Sequence, residues 1–431
     1  MTTLTRAAAV SRGVGRGVLA TSTYNVVSTA AAGLAGIVIA RSLGPSVRGE
    51  YAAIMAWYGL LVIAGGLGQP AATTYFVARD PDHGHRYVAA SRTIMIASGT
   101  VILVAGGAAA TMLASGATAV WGYRIMFAAC LATLVGVTYL AALQGSSIPR
   151  WNQARISQPL GYLLVIVVLH VAGQLNLVTA MLAFAATTVA QTVHAYRLCG
   201  HGGLTGGRPG PAVTRPLLRY GAGQLTALVP LIVMTRLDQL ILSLVVEPAV
   251  LGNYAVAVSL TTLAVPVAAG LGNVAFPRIA AQRGLRPESH RLQWWAVGVS
   301  VAIAVAIMLP LAVSAPWLVP MVFGPGFHDA VVLVAILAPG GVFLACQQVC
   351  ADLLRGHGRP FAIARSNAVA AGLMVVLLAA LLPVLGPTGA AIASSVSIGV
   401  AVALLLRALH RTLPAAPTRP GRDREREVLT R

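Results

Sequence analysis

Apolar runs of about 20 residues follow one another along almost the whole chain, separated by short stretches rich in Arg, Pro and Gly. That is the length a helix needs to cross hydrocarbon about 30 Å thick. Backbone amides in lipid must be satisfied within the segment, so helices are the expected form. Composition agrees: 57% of the residues are hydrophobic and 10% charged, against roughly 25% charged in soluble domains. The runs fall near 17–40, 51–77, 88–114, 118–143, 157–173, 176–198, 221–246, 250–275, 293–318, 329–353, 362–385 and 389–409. The expected fold class is therefore all-α and polytopic, with about twelve transmembrane helices. The first run follows Arg6, Arg12 and Arg16, as a signal peptide would. It continues to about Ile39, beyond an h-region of about 7–15 residues, and is expected to stay as a spanning helix.

Arginine placement orients the segments. The 30 basic residues are all Arg and give a net charge of +19, which in a soluble protein would suggest nucleic acid. Here 26 of the 30 fall at the two termini and in the even-numbered connections. Arg41, Arg48 and Arg124 lie near the opposite side, and Arg236 lies inside the seventh segment. Retention of arginine on the cytoplasmic side explains this split without a nucleic-acid partner. Both termini are expected in the cytoplasm of a multi-pass protein of the bacterial cell (inner) membrane. The expected organisation is a cytoplasmic N-terminus (1–16), a six-helix bundle (17–200), a cytoplasmic linker (201–219), a second six-helix bundle (220–410) and a charged tail (411–431).

The two bundles repeat each other. Pro45, Gly49, Tyr51 and Ala52 match Pro248, Gly252, Tyr254 and Ala255 at an offset of 203. Gly66-Leu67-Gly68-Gln69 matches Gly270-Leu271-Gly272-Asn273 at 204, and Leu143, Gly145 and Pro149 match Leu354, Gly356 and Pro360 at 211. Matches in one order at nearly one offset imply two parallel halves related by an axis along the membrane normal. Transporters built this way place the substrate between the halves and alternate access by rocking them.

Ala40-Arg41-Ser42-Leu43-Gly44-Pro45 with Gly49 and Tyr51 resembles the opening motif of the polysaccharide-export, O-antigen-flippase-like family. Arg236-Leu237-Asp238 and Leu251-Gly252-Asn253-Tyr254-Ala255 resemble its central signature. Phe276-Pro277, Phe323-Gly324 and Gly356-His357-Gly358-Arg359 fit as well. The resemblance runs from about residue 14 to about residue 410. It implies membership of the multidrug and oligosaccharidyl-lipid exporter superfamily, with two six-helix bundles in a V. The implied activity is flipping of polyprenyl-diphosphate-linked oligosaccharide from the cytoplasmic to the outer leaflet, for cell-surface polysaccharide. Its partners would be the lipid-linked saccharide, membrane lipids, and a polysaccharide polymerase or glycosyltransferases. A cation-coupled multidrug antiporter of the same superfamily and a non-transporting subunit of an envelope-assembly complex are the alternatives. An enzyme has little support, because the sequence holds no Walker loop, metal-spaced His/Asp cluster or nucleophile elbow.

Charge inside a spanning helix costs about 2.5–3.5 kcal/mol on insertion scales, so Arg236 and Asp238 require a reason. Their counterparts at the 203 offset are Gly33 and Ala35, so the charges break the repeat. Thr235, Arg236, Asp238, Gln239 and Ser243 form one polar arc of roughly 160° on a helix, too wide to face lipid. Arg236 either pairs with a carboxylate on a neighbouring helix or meets the substrate diphosphate, for which a forked guanidinium is suited. Asp238 would then orient it or bind a coupling cation or proton; no other cofactor and no metal are expected. Arg41, with Glu50, flanks the first connection and either snorkels to the interface or guards the opening. Asn25, Gln69, Gln224 and Asn273 are amides in apolar helices, either helix-to-helix hydrogen bonders or contacts for sugar hydroxyls. Cys130, Cys199, Cys346 and Cys350 read as small buried apolar side chains.

Overall fold

The computed structural model describes residues 2–266, 287–357 and 359–411. Helices α1 (2–43) and α2 (45–65) are the arms of one run, Thr2–Gly65, broken at Gly44. Then come α3 (Gln69–Arg79), α4 (Gly84–Leu113), α5 (Ala117–Ser146), α6 (Ile148–Val171) and α7 (Leu177–Gly200). The second half holds α8 (Pro211–Val245), α9 (Pro248–Thr261), α10 (Pro287–Phe323) and α11 (Ala330–Gly356). The run Pro360–His410, broken at Gly386, supplies α12 (360–385) and α13 (387–410). Helices α2 and α3 share the second apolar segment, so each segment read from the sequence carries a helix. Eight helical runs among the described residues are long and apolar enough to cross a membrane, the two broken ones each counted once. Asn273 lies outside the described residues.

The breaks follow from local chemistry. Gly44 precedes Pro45 and Gly386 precedes Pro387, and a residue before proline is driven out of the helical region. Glycine accepts the positive φ that results, 74° and 56° here, because it has no Cβ to clash. The break between α2 and α3 is more strained. Leu67 sits there at φ 47°, in a region that costs a non-glycine residue about 1–3 kcal/mol.

Each half has its own apolar core. One cluster joins Ile39, Tyr58, Phe127, Ile166 and Met181; another joins Leu242, Tyr254, Phe327, Val349 and Leu405. Between them the repeat pairs meet each other. A Cβ built on Gly49 would lie 1.6 Å from the Pro248 carbonyl oxygen, and one on Gly252 would lie 2.0 Å from that of Pro45. Such reciprocity is what a two-fold axis between parallel repeats produces, and it closes the arginine-poor end of the seam. At the arginine-rich end a Cβ on Gly68 would lie 2.2 Å from the Gly221 carbonyl oxygen.

Helix α8 belongs to both halves. Leu217 is buried with Ala72 and Ala90 of the first half, and Tyr220 stacks on Tyr75 at 4.8 Å. Further along, Leu242 lies in the core of the second half. The connection leading into α8 is packed as well. Leu204 is buried beside Val77 and Val88, and Gly207 presses on the His85 carbonyl.

Candidate functional site

Between the halves lies a cavity of about 580 Å³, walled by α2, α8, α9, α11 and α13. Helix α2 presents Arg48, Tyr51 and Tyr58 to it; α8 presents Thr235, Arg236, Asp238 and Gln239. The polar arc of α8 thus divides between this cavity and one neighbour: Ser243, at the end of the arc, accepts a hydrogen bond from Trp57 Nε1 at 3.1 Å.

The charged side chains on the wall are held differently. Asp238 is buried and accepts from the Tyr254 hydroxyl at 2.6 Å and from the backbone N–H of Gln239 at 2.8 Å. Arg236 is exposed to the cavity, and among the described residues it makes no ion pair within 4 Å. Its side chain also lines a second space of about 380 Å³ that reaches past Val62 and Gly66 to Pro70. The turn between α2 and α3 therefore borders this second space through Gly66 and Gly68. Discontinuous helices recur in this way at transporter sites.

Arg48 comes from the other half. It is buried at the cavity wall, with its guanidinium 5.2 Å from the Tyr51 ring centroid. Its Nε has no hydrogen-bond partner. Tyr51 in turn shares a hydrogen bond with the Tyr162 hydroxyl at 3.0 Å. The cavity lining thus carries a guanidinium from each half, and its one carboxylate among the described residues, Asp238, is engaged by Tyr254. The charges lining the cavity are net positive and suit an anion.

The remaining sequence candidates lie elsewhere. Arg41 is at the arginine-poor end, where its guanidinium donates to the Met321 and Val322 carbonyls at the end of α10. Gln69 is buried in the α3–α8 contact and donates to the Leu217 carbonyl at 3.3 Å. Asn25 and Gln224 are half-buried, and neither is on the cavity wall. Arg48 was missed by sequence reasoning, although a signal for it existed. Its counterpart at the 203 offset is Leu251, so it breaks the repeat just as Arg236 does. The four cysteines are buried and free, and among the described residues no group of three His, Cys, Asp or Glu could hold a metal.

Comparisons with known proteins agree with this architecture. The family described as polysaccharide biosynthesis protein matches residues 14–282. No curated protein matches the sequence. Among solved structures, an inward-facing multidrug resistance transporter of the MATE family, in the MOP superfamily, superposes with a TM-score of 0.71 at 15% identity, covering 91% of this chain and 94% of that one. The lipid II flippase MurJ, in an inward closed conformation, superposes at 0.72 and 10% identity, covering 91% and 88%. A MOP-superfamily transporter from Pyrococcus furiosus superposes at 0.59 and 15% identity, covering 93% and 96%.

Proposed function

We propose, from the premise that the chain belongs to the polysaccharide biosynthesis protein family, that this MOP-superfamily transporter flips a polyprenyl-diphosphate-linked saccharide between leaflets. The observation that carries the reading is the pair of guanidiniums, Arg48 and Arg236, on the wall of one cavity between the halves. A diphosphate offers one phosphoryl group to each, and forked N–H donors match phosphate oxygens. The cavity volume lies within the range of about 300–1,000 Å³ usual for small-ligand sites. It would take the diphosphate and the first sugars while the prenyl chain stays in lipid. A cationic drug would meet two positive charges in the same cavity, so the antiporter reading fits it poorly.

In this reading the arginine-rich end is cytoplasmic, both termini with it, in a bacterial inner membrane. An inside-negative potential then favours outward movement of the anionic head group, by about 2.3 kcal/mol per charge per 100 mV. Asp238, tied to Tyr254 across α8 and α9, is the candidate for coupling a cation or proton. Polymerase or glycosyltransferase partners would act on the flipped product and supply the substrate.

Reconstitution tests the proposal. Purified protein in vesicles should move a fluorescent polyprenyl-diphosphate saccharide between leaflets, and Arg236→Ala should abolish the movement at normal abundance. Arg236→Lys should retain part of it, because the charge survives and the fork is lost. Uptake of a cationic dye, with no saccharide movement, would replace this reading with the antiporter.

A further inference from the structure

The second space beside Arg236 differs in kind from the central cavity. Val62 and Ile63 of α2, Leu134 and Val137 of α5 and Ile232 of α8 wall it. Among the described residues that line it, only Thr235 and Arg236 carry polar side chains, and the central cavity shares both. The two spaces follow one another along two helices. On α2 the step from Tyr58 in the first to Val62 in the second is about one helical turn. On α8 Ile232, Thr235 and Arg236 stand at i, i+3 and i+4, so one face passes from apolar to charged.

The wall at the α2–α3 turn is pinned to α8. A Cβ on Gly221 would lie 2.5 Å from the Leu67 carbonyl oxygen, which reciprocates the contact of Gly68 with Gly221. Val62, Ile63, Val137 and Ile232 are each partly exposed, so apolar surface there lacks full cover and favours an apolar occupant. At about 380 Å³ the space admits a few branched five-carbon units and is too small for a whole long chain. A ligand that bridges both spaces must therefore carry an anion at Arg236, polar groups on one side of it and branched hydrocarbon on the other.

We propose, building on the diphosphate reading above, that this space holds the first isoprene units of the carrier and so tells a lipid-linked diphosphate from a soluble one. The first prenyl carbon is bonded directly to a diphosphate oxygen. With the diphosphate at Arg236, the first units fall beside Ile232, about one turn of α8 away, and the long remainder stays in lipid. A nucleoside diphosphate or a nucleotide sugar offers the same anion to Arg48 and Arg236. In this space, however, it must strip a ribose or a base of water against Leu134 and Val137, which is unfavourable without compensating hydrogen bonds. Soluble nucleotide sugars are thereby rejected although they carry the same charge.

Equilibrium binding to the purified full chain in detergent tests it, with farnesyl diphosphate, uridine diphosphate and inorganic diphosphate as probes. Farnesyl diphosphate should bind about tenfold or more tighter than either other probe, the effect of burying about two methylene groups. Val137→Trp, which fills the space, should bring farnesyl diphosphate down to the level of inorganic diphosphate. Val137→Thr keeps nearly the same volume and adds a hydroxyl to the wall. It should lose part of the preference, and serves if the Trp variant fails to accumulate. Arg236→Ala should weaken all three probes together. Equal binding of the three by the wild-type protein, or a preference that both Val137 variants leave intact, would overturn the isoprene site while the diphosphate reading stands. Wild-type protein that binds none of the three would overturn that reading, and the isoprene site with it.

Discussion

Tyr254 donates its hydroxyl hydrogen to the Asp238 carboxylate at 2.6 Å, and both side chains are buried between α8 and α9. The repeat makes this contact informative. Tyr51 is the counterpart of Tyr254, yet the counterpart of Asp238 is Ala35, and Tyr51 bonds to Tyr162 instead. The second half therefore holds a buried carboxylate where the first holds a neutral pair. Removing the donor should leave the carboxylate with a single backbone N–H. Tyr254→Phe is expected to lower stability by about 1–3 kcal/mol, measured as unfolding in detergent. The double variant Asp238→Asn, Tyr254→Phe should cost less than the sum of the single ones, because the two act as one unit. Additive costs would show that the pair is not coupled.

The seam offers a second test. Gly49 and Gly252 each lie against a backbone carbonyl, which cannot turn aside as a side chain would. Gly49→Ala or Gly252→Ala should push the two halves apart at the arginine-poor end. An overpacking cost of about 1–3 kcal/mol shifts a two-state equilibrium roughly 5–150-fold toward the parted form. A cysteine at the buried seam position Ala52, in a background without the native cysteines, should then label faster with a thiol reagent. Gly33→Ala and Gly36→Ala, where a Cβ meets nothing within 4 Å, are the controls and should leave labelling unchanged.

Much of this was readable from the sequence, because hydropathy acts segment by segment. A run of apolar residues must become a helix in lipid whatever its neighbours do, so the twelve segments and the breaks before Pro45 and Pro387 were legible. The charges of α8 were legible for the same reason, since Arg236 and Asp238 stand out against an apolar background. Partnerships were not. Tyr254 reaches Asp238 through the packing of α8 on α9, and no spacing rule specifies that. Gln69 meets backbone of α8 because α8 leans on the first half, a consequence of the docked connection at Leu204 and Gly207. Arg48 was hidden by its position near a connection, where arginine is ordinarily solvated. Comparison with Leu251 would have exposed Arg48, since it replaces a neutral residue of the other half.

The arginine-rich end carries a titratable contact. His357 follows α11, and its Nε2 lies 2.9 Å from Gln293 Oε1, while Gln293 Nε2 donates to the Leu409 carbonyl. Gln293 Oε1 can only accept, so His357 donates from Nε2. Burial, and then the charge of Arg359, hold its pKa below the ordinary histidine value. The unfolded chain therefore binds the proton more readily, near pH 6.5, and stability should fall as pH drops below that value. Above it His357 is neutral in both states and the curve should be flat. His357→Gln should flatten the acidic limb of a thermal-stability profile. An unchanged limb would place the sensitivity in another group.

Arg48 separates binding from folding most sharply. A buried guanidinium whose Nε lacks a partner is an expense to the fold, which an apolar side chain of similar reach would avoid. Arg48→Met should therefore leave stability unchanged or raise it, measured as unfolding in detergent. If the cavity recognises a diphosphate, the same variant should lose saccharide flipping by a factor of ten or more, since a charge-assisted contact is worth about 1.5–3 kcal/mol. Arg48→Lys should recover less activity than Arg236→Lys does. A lysine at residue 48 keeps the charge over Tyr51 but must desolvate a more strongly hydrated ammonium at a buried position. A stable Arg48→Met protein with full flipping would remove Arg48 from the site and leave Arg236 to bind alone. A variant that loses stability together with flipping would mean that Arg48 holds the halves in place and does not contact the substrate.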